Sequence, residues 1–140
     1  MGKLEPIVGR YITLEEEGKN YRIYFEESGN GIPLICLHTA GAHSSQFRHL
    51  MCDPEITKNF RIIAFDMPWH GKSTPPVGWQ DKEYRLTSDF YVAIIKNFIE
   101  ALDLKKPVIM GCSMGGRVVI RLAYELGTRL LGVIGLEGSD

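Results

Sequence analysis

The stretch "PVIMGCSMGGRVVIRLAYELG", residues 107–127, decides the fold. Its first part, 107–113, is an apolar run of strand type, and residues 114–126 read as a helix that Gly127 can cap. Between the two, Gly111-Cys112-Ser113-Met114-Gly115 has the G-x-S-x-G spacing that sets a serine on a tight strand-to-helix turn. That turn strains the serine backbone, so small residues are needed on either side, and Gly111 and Gly115 supply them. Gly116 lets the helix lie close to the sheet. The helix N-terminus behind Ser113 favours negative charge developing there. A glycine-rich turn with a capping serine is the competing reading. It does not by itself require the strand before the motif and the helix after it.

Working outward, strand and helix alternate. Segments 10–16 and 21–28 are β-rich and are separated by Gly18-Lys19-Asn20, which suggests a hairpin. "LICLH" (34–38) and "FRIIAFDM" (60–67) are continuous apolar runs ending in polar residues, as buried strands do. Ser44 or Ser45 is placed to cap a helix through "QFRHLMCD". Residues 86–104 carry Phe90, Ile94, Ile95, Phe98 and Leu102 on one helical face, with Thr87 or Ser88 as N-cap. "LLGVIGLEG" (130–138) is a last apolar strand. From residue 34 onward the order is β-α-β-α-β-α-β, which predicts a mostly parallel sheet with helices on both faces. No repeat or low-complexity segment interrupts it, and the Pro- and Gly-rich loop 68–79 is too short to separate domains.

The totals fit a single globular domain: 140 residues, 44% hydrophobic. With 16 basic and 17 acidic side chains the net charge is −1, which argues against a nucleic-acid or anionic-membrane partner. No apolar run approaches the roughly 18 residues needed to span a bilayer, and Met1 to Gly9 holds no signal-peptide core. Cys36, Cys52 and Cys112 are odd in number and lack metal-type spacing, so they read as reduced thiols of a cytoplasmic protein. No metal or cofactor is expected.

Acyl transfer needs backbone N–H donors aimed at a tetrahedral oxyanion. The loop "LHTAG" (37–41), after the strand that precedes the first helix, is placed to supply one. The natural pair is the N–H of Ala40 and that of Met114. His38 ends a buried strand, where a histidine is usually a hydrogen-bonded structural residue. Asp66 is expected to bond turn amides, and Asp89 lies in a helix first turn.

Taken together, "GNGIPLICLHTAG", "FRIIAFDMPWHGKS", the helix at 86–104 and "PVIMGCSMGGRVVIRLAYEL" resemble the N-terminal half of an α/β-hydrolase. The resemblance implies one domain over 1–140, with about six of the family's eight strands, and with the cap and C-terminal part absent. It implies a hydrolase acting on an ester or related acyl bond of a small molecule. Ser113 would be the nucleophile, and Ala40 and Met114 the oxyanion donors, without a cofactor. His38, Thr39 and Trp69 would stand beside the substrate. Two residues depart from the family pattern: Thr39 and Trp69 stand where glycines are usual.

The family order is Ser, acid, His, yet His38, His43, His49 and His70 all precede Ser113. The triad base is therefore missing from the sequence, and Glu137 is the acid that it nominates. A serine without its base is a weak nucleophile. The alternative to an enzyme is thus an inactive fragment or a hydrolase-like binding module. The apolar strand at 130–138 would form an uncovered edge through which the chain could self-associate.

Overall fold

A computed structural model of the chain describes residues 1–83 and 85–136. Strands β1 (Val8–Glu16) and β2 (Lys19–Ser28) form the expected antiparallel hairpin. The turn between them is shorter than Gly18-Lys19-Asn20. Glu16 pairs with Lys19, and Glu17 and Gly18 both take positive φ, 50° and 75°. A two-residue turn with two positive φ angles matches the twist of the flanking strands, so β2 begins two residues before the expected 21.

β2 pairs antiparallel with β4 (Phe60–Phe65), which pairs parallel with β3 (Ile32–Leu37). β3 in turn pairs parallel with β5 (Val108–Cys112), and β5 with β6 (Gly132–Leu136). The result is one six-stranded sheet in the order β1-β2-β4-β3-β5-β6, mostly parallel and with the N-terminal hairpin at one side.

Side chains of the central strands alternate between two apolar layers, as the pleat requires. Ile35, Leu37, Ile63, Phe65 and Ile109 face a layer built by α3 (Ser88–Ala101) and α4 (Met114–Leu126), which contribute Ile94, Ile95, Phe98, Val118, Val119 and Leu122. Leu34, Cys36, Ile62 and Ala64 face Phe47 and Met51 on the other side. Helical cover therefore lies on both faces.

The cover over the second face is broken into short pieces. A 3₁₀ turn at Ser44–Phe47 leads into α1 (Arg48–Met51), and α2 (Pro54–Thr57) follows. The break has a local cause. The Asp53 carboxylate accepts the Glu55 N–H and Pro54 opens α2, a cap-and-proline pair that starts a new helix rather than extending the old one. The cap of the 3₁₀ turn is His43, whose ring accepts the Ser45 N–H, and not Ser44 or Ser45. In α3 the cap is Thr87, which accepts the Phe90 N–H at 3.1 Å.

β6 lies at a sheet edge, with Val133, Ile134 and Leu136 exposed. No helix among the described residues is long and apolar enough to cross a membrane.

Candidate active site

β3, β4 and β5 are parallel neighbours, so their C-terminal ends open on one edge of the sheet, where open α/β sheets place their ligands. Leu37 is the register partner of Gly111. The segments that follow, His38–Ala40 and Cys112–Ser113, therefore leave the sheet side by side.

Ser113 takes φ 54° and ψ −109°, a conformation that an L-residue adopts only under constraint. Packing supplies the constraint. A Cβ on Gly111 would stand 2.3 Å from the Gly115 carbonyl oxygen, and one on Gly115 would stand 2.7 Å from the carbonyl oxygen of Leu37. Helix α4 can start immediately after β5 only because both positions lack a side chain. The Ser113 N–H donates to the Leu136 carbonyl at 3.0 Å, which ties the turn to the end of β6, and the Ser113 carbonyl accepts the Arg117 N–H at 3.0 Å. The Ser113 side chain makes no capping hydrogen bond and is exposed. It stands at the positive end of a 13-residue helix whose first N–H, that of Met114, has no intrahelical acceptor.

The loop after β3 is fixed by its own side chains. Thr39 N–H donates to Gln46 Oε1 at 3.0 Å, so the next amide, that of Ala40, is the loop's candidate donor toward Ser113. His38 is 1% exposed. Its Nε2 accepts the Met67 N–H at 3.1 Å, and its Nδ1 lies 2.8 Å from the Thr39 carbonyl. A backbone N–H can only donate, so Nε2 is bare and Nδ1 carries the proton: the ring is neutral. Burial holds its pKa below the usual histidine value, and the nearby His70 acts in the same direction. The ring joins the β3 and β4 loops and offers no free nitrogen.

The β4 loop is held by Asp66, which is fully buried. Its Oδ1 accepts the Ser44 N–H at 2.7 Å and its Oδ2 the Lys72 N–H at 2.8 Å. Ser73 donates its hydroxyl to the Asp66 carbonyl and accepts the Tyr24 N–H, stitching the loop to β2. Gly71 has φ 51°, and a Cβ there would meet Asp66 Oδ2 at 2.2 Å. The loop thus bonds turn amides, as its sequence implied. Trp69, at the position where glycine is usual, keeps a glycine-like φ of 66°. Its ring is half-buried against Tyr21 and Phe90, each 6.3 Å away between centroids. His70 packs on His38 with centroids 4.9 Å apart.

Ser113, Met114, Thr39, Ala40 and Trp69 therefore share one edge of the sheet, whereas Glu137 lies outside the described residues. A cleft of about 450 Å³ is lined by Gly41, Trp69, His70, Trp79, Gln80 and Lys82. Gln46, Trp79 and Lys82 were not singled out from the sequence. Their positions come from how the loops fold back, which no local pattern encodes. Among the described residues no group of three His, Cys, Asp or Glu side chains could hold a metal, and Cys36, Cys52 and Cys112 are free thiols.

A mostly parallel sheet with a strained serine between strand and helix defines a class of α/β protein whose ligands meet the C-terminal strand ends. Within that class, a family model of the alpha/beta hydrolase fold matches residues 32–140, and the chain belongs to that family. It is similar to the 2-hydroxy-6-oxononadienedioate/2-hydroxy-6-oxononatrienedioate hydrolase of Escherichia coli, with 31% identity over 129 residues, covering 90% of this chain and 43% of that protein. Among solved structures it is similar to a bacterial membrane phospholipase A (TM-score 0.81, 19% identity, 96% of this chain and 41% of that one). It also resembles a thermophilic esterase from Thermogutta terrifontis (TM-score 0.75, 23% identity, 93% and 46%). The chain thus spans less than half the length of each of these relatives.

Proposed function

We propose that this chain carries the nucleophile and oxyanion hole of a serine hydrolase that cleaves an ester or related acyl bond of a small molecule. The observation that carries the reading is the backbone of Ser113, an exposed residue held at φ 54° with its hydroxyl uncapped at the head of α4. A capping serine would turn its oxygen onto the helix amides; this one makes no such bond.

In this reading Ser113 Oγ attacks the substrate carbonyl and gives its proton to a histidine. The carbonyl oxygen becomes an oxyanion between the Met114 and Ala40 N–H groups. Collapse expels the leaving group, which takes the proton, and water then releases the acid and restores Ser113. The histidine comes from the region of the relatives that this chain does not span, and Glu137 or a later acid orients it. Thr39 borders the oxyanion, His38 holds the loop that positions Ala40, and Trp69 lines the substrate cleft. The relative that acts on a conjugated dioate and the esterase among the structural neighbours both agree with acyl or related carbonyl chemistry. Pairing with a further strand would cover the apolar edge of β6.

The commitment of both His38 nitrogens to backbone groups, which leaves that ring unable to serve as a base, favours a second reading, a binding module without turnover. Intact mass before and after a fluorophosphonate probe, read on the protein with the region that supplies the histidine included, separates the two. A single adduct at Ser113, absent in Ser113→Ala, supports the hydrolase. An unlabelled protein that still folds supports the binding module.

A further inference from the structure

The loop after β3 presents the amide of Ala40, and hydrogen bonds on both sides of Thr39 fix how it does so. A trans peptide is planar, with its C=O and its N–H on opposite sides of the chain. Whatever holds the Thr39 carbonyl therefore also sets the direction of the Ala40 N–H. Two donors hold it: the His38 ring Nδ1–H at 2.8 Å and the Ala42 N–H at 3.1 Å. The Ala40 N–H is turned away from both, and it has no hydrogen-bond partner among the described residues.

The peptide before it is held by a side chain. β3 ends at Leu37, so the Thr39 N–H lies beyond the strand ladder, and Gln46 Oε1 accepts it at 3.0 Å. Gln46 is itself fixed through the 3₁₀ turn. Its N–H donates to the His43 carbonyl at 3.1 Å, and the neighbouring Ser44 N–H is anchored on the buried carboxylate of Asp66. The Gln46 residue is exposed, so packing does not dictate a glutamine there; the part of it that the loop uses is the amide oxygen. With both peptide planes at Thr39 held, the loop cannot turn its amides without breaking one of these bonds. Without the Gln46 oxygen, the first plane is released and the second can follow it.

An oxyanion donor is worth most when its direction is fixed before charge develops. We propose that Gln46 is a positioning residue of the oxyanion hole, holding the Thr39 N–H so that the next amide, that of Ala40, stays free and aimed. This role rests on the hydrolase reading.

The test uses the protein with the region that supplies the histidine included, p-nitrophenyl acetate as ester and a fluorophosphonate as labelling probe. Gln46→Met keeps the length of the side chain and removes the acceptor. It should lower kcat and the labelling rate about threefold to tenfold, the size of one net hydrogen bond. KM should not change, because acylation and deacylation both pass through the oxyanion and slow together. Gln46→Glu keeps an oxygen at the same reach and should recover the parent kcat in about 1 M salt, which screens its added charge. Asp53→Ala removes another exposed side-chain acceptor, that of the Glu55 N–H, and should lower the urea midpoint without lowering kcat. An unchanged kcat in Gln46→Met, a Gln46→Glu no better than Gln46→Met, or a matching loss of kcat in Asp53→Ala would overturn the proposal. A parent protein that neither turns over the ester nor is labelled removes the hydrolase reading and this role with it. A reactive parent with an equally reactive Gln46→Met removes the positioning role alone.

Discussion

Gly115, in the first turn of α4, lies against Leu37, the last residue of β3, so closely that a methyl group on Gly115 would stand 2.7 Å from both the Cβ and the carbonyl oxygen of Leu37. This contact brings the head of α4 down onto the loop that carries Ala40. Gly115→Ala must push the helix off the strand, at a cost of about 1–3 kcal/mol for overpacking. Urea denaturation should show that loss. Gly132→Ala is the control. A Cβ there meets nothing within 4 Å, so its effect should stay within about 0.5 kcal/mol. Similar stabilities for the two variants would mean that the helix start is not sterically defined.

The backbone of Ser113 makes a test that is independent of turnover. In a helix or strand, glycine is less stable than alanine by about 0.5–1 kcal/mol. At φ 54° the order should invert, because alanine pays the left-handed penalty of about 1–2 kcal/mol and glycine does not. Ser113→Gly should therefore unfold at higher urea than Ser113→Ala, although neither can acylate. The ordinary order, alanine above glycine, would count against a strained turn.

Asp66 is expected to be the most sensitive carboxylate among the described residues. It is fully buried and accepts two backbone amides, Ser44 N–H at 2.7 Å and Lys72 N–H at 2.8 Å. Hydrogen bonds to a charged group are worth about 1.5–3 kcal/mol each, and removal also strands the buried Ser44 donor and the part-buried Lys72 donor. Asp66→Ala should cost about 3 kcal/mol or more in chemical denaturation. Asp53→Ala, which removes an exposed cap, should cost about 1 kcal/mol.

How much of this was legible in the sequence follows from where each constraint resides. The bounds of α4, the strand before it and the cap at Thr87 depend on near neighbours, and each matches its pattern. Local chemistry also explains the break at Asp53-Pro54, but the apolar spacing of 46–52 hid it. Glu17 at positive φ was not legible, because the twist of a nine-residue strand pairing imposes it. Nor was the commitment of both His38 nitrogens, which depends on Met67, 29 positions away in the chain. Trp79 and Lys82 join the cleft through the path of a loop whose composition says only that it turns. The serine turn was legible because its spacing is local and Gly111 answers to a steric limit four residues on, at Gly115, whereas the limit at Gly115 itself is set by Leu37, far away in the chain.

Tyr91 is almost fully buried in α3, and its hydroxyl finds no acceptor among the described residues. It borders a pocket of about 190 Å³ beside Met114. Burial pushes its pKa up, so it stays a neutral phenol. A buried donor without a partner carries its desolvation penalty, so Tyr91→Phe should be neutral or stabilising by up to about 1 kcal/mol. Tyr91→Ala should cost about 3 kcal/mol or more through the cavity left in the α3–α4 layer. A marked loss in Tyr91→Phe would show that the hydroxyl has a partner elsewhere in the protein.

His38 gives the protein an acid-side sensitivity whose sign is fixed by its burial. The folded-state pKa is lowered, chiefly by desolvation, from an unfolded value of 6.5, with the Thr39 carbonyl opposing and His70 adding to the shift. Below pH 6.5 the unfolded chain binds a proton at this site while the folded chain still does not. Stability must then rise with pH until the unfolded value is passed and be flat, for this residue, above it. Protonation of the folded ring also has a structural cost: Nε2 could no longer accept the Met67 N–H, and the β3 and β4 loops would part. The midpoint of urea unfolding should therefore fall as pH drops from neutrality through 6.5. His38→Gln, which keeps one donor and one acceptor but cannot titrate, should be less stable at neutral pH and show a shallower fall. An equal slope in the variant would assign the acid sensitivity to other groups.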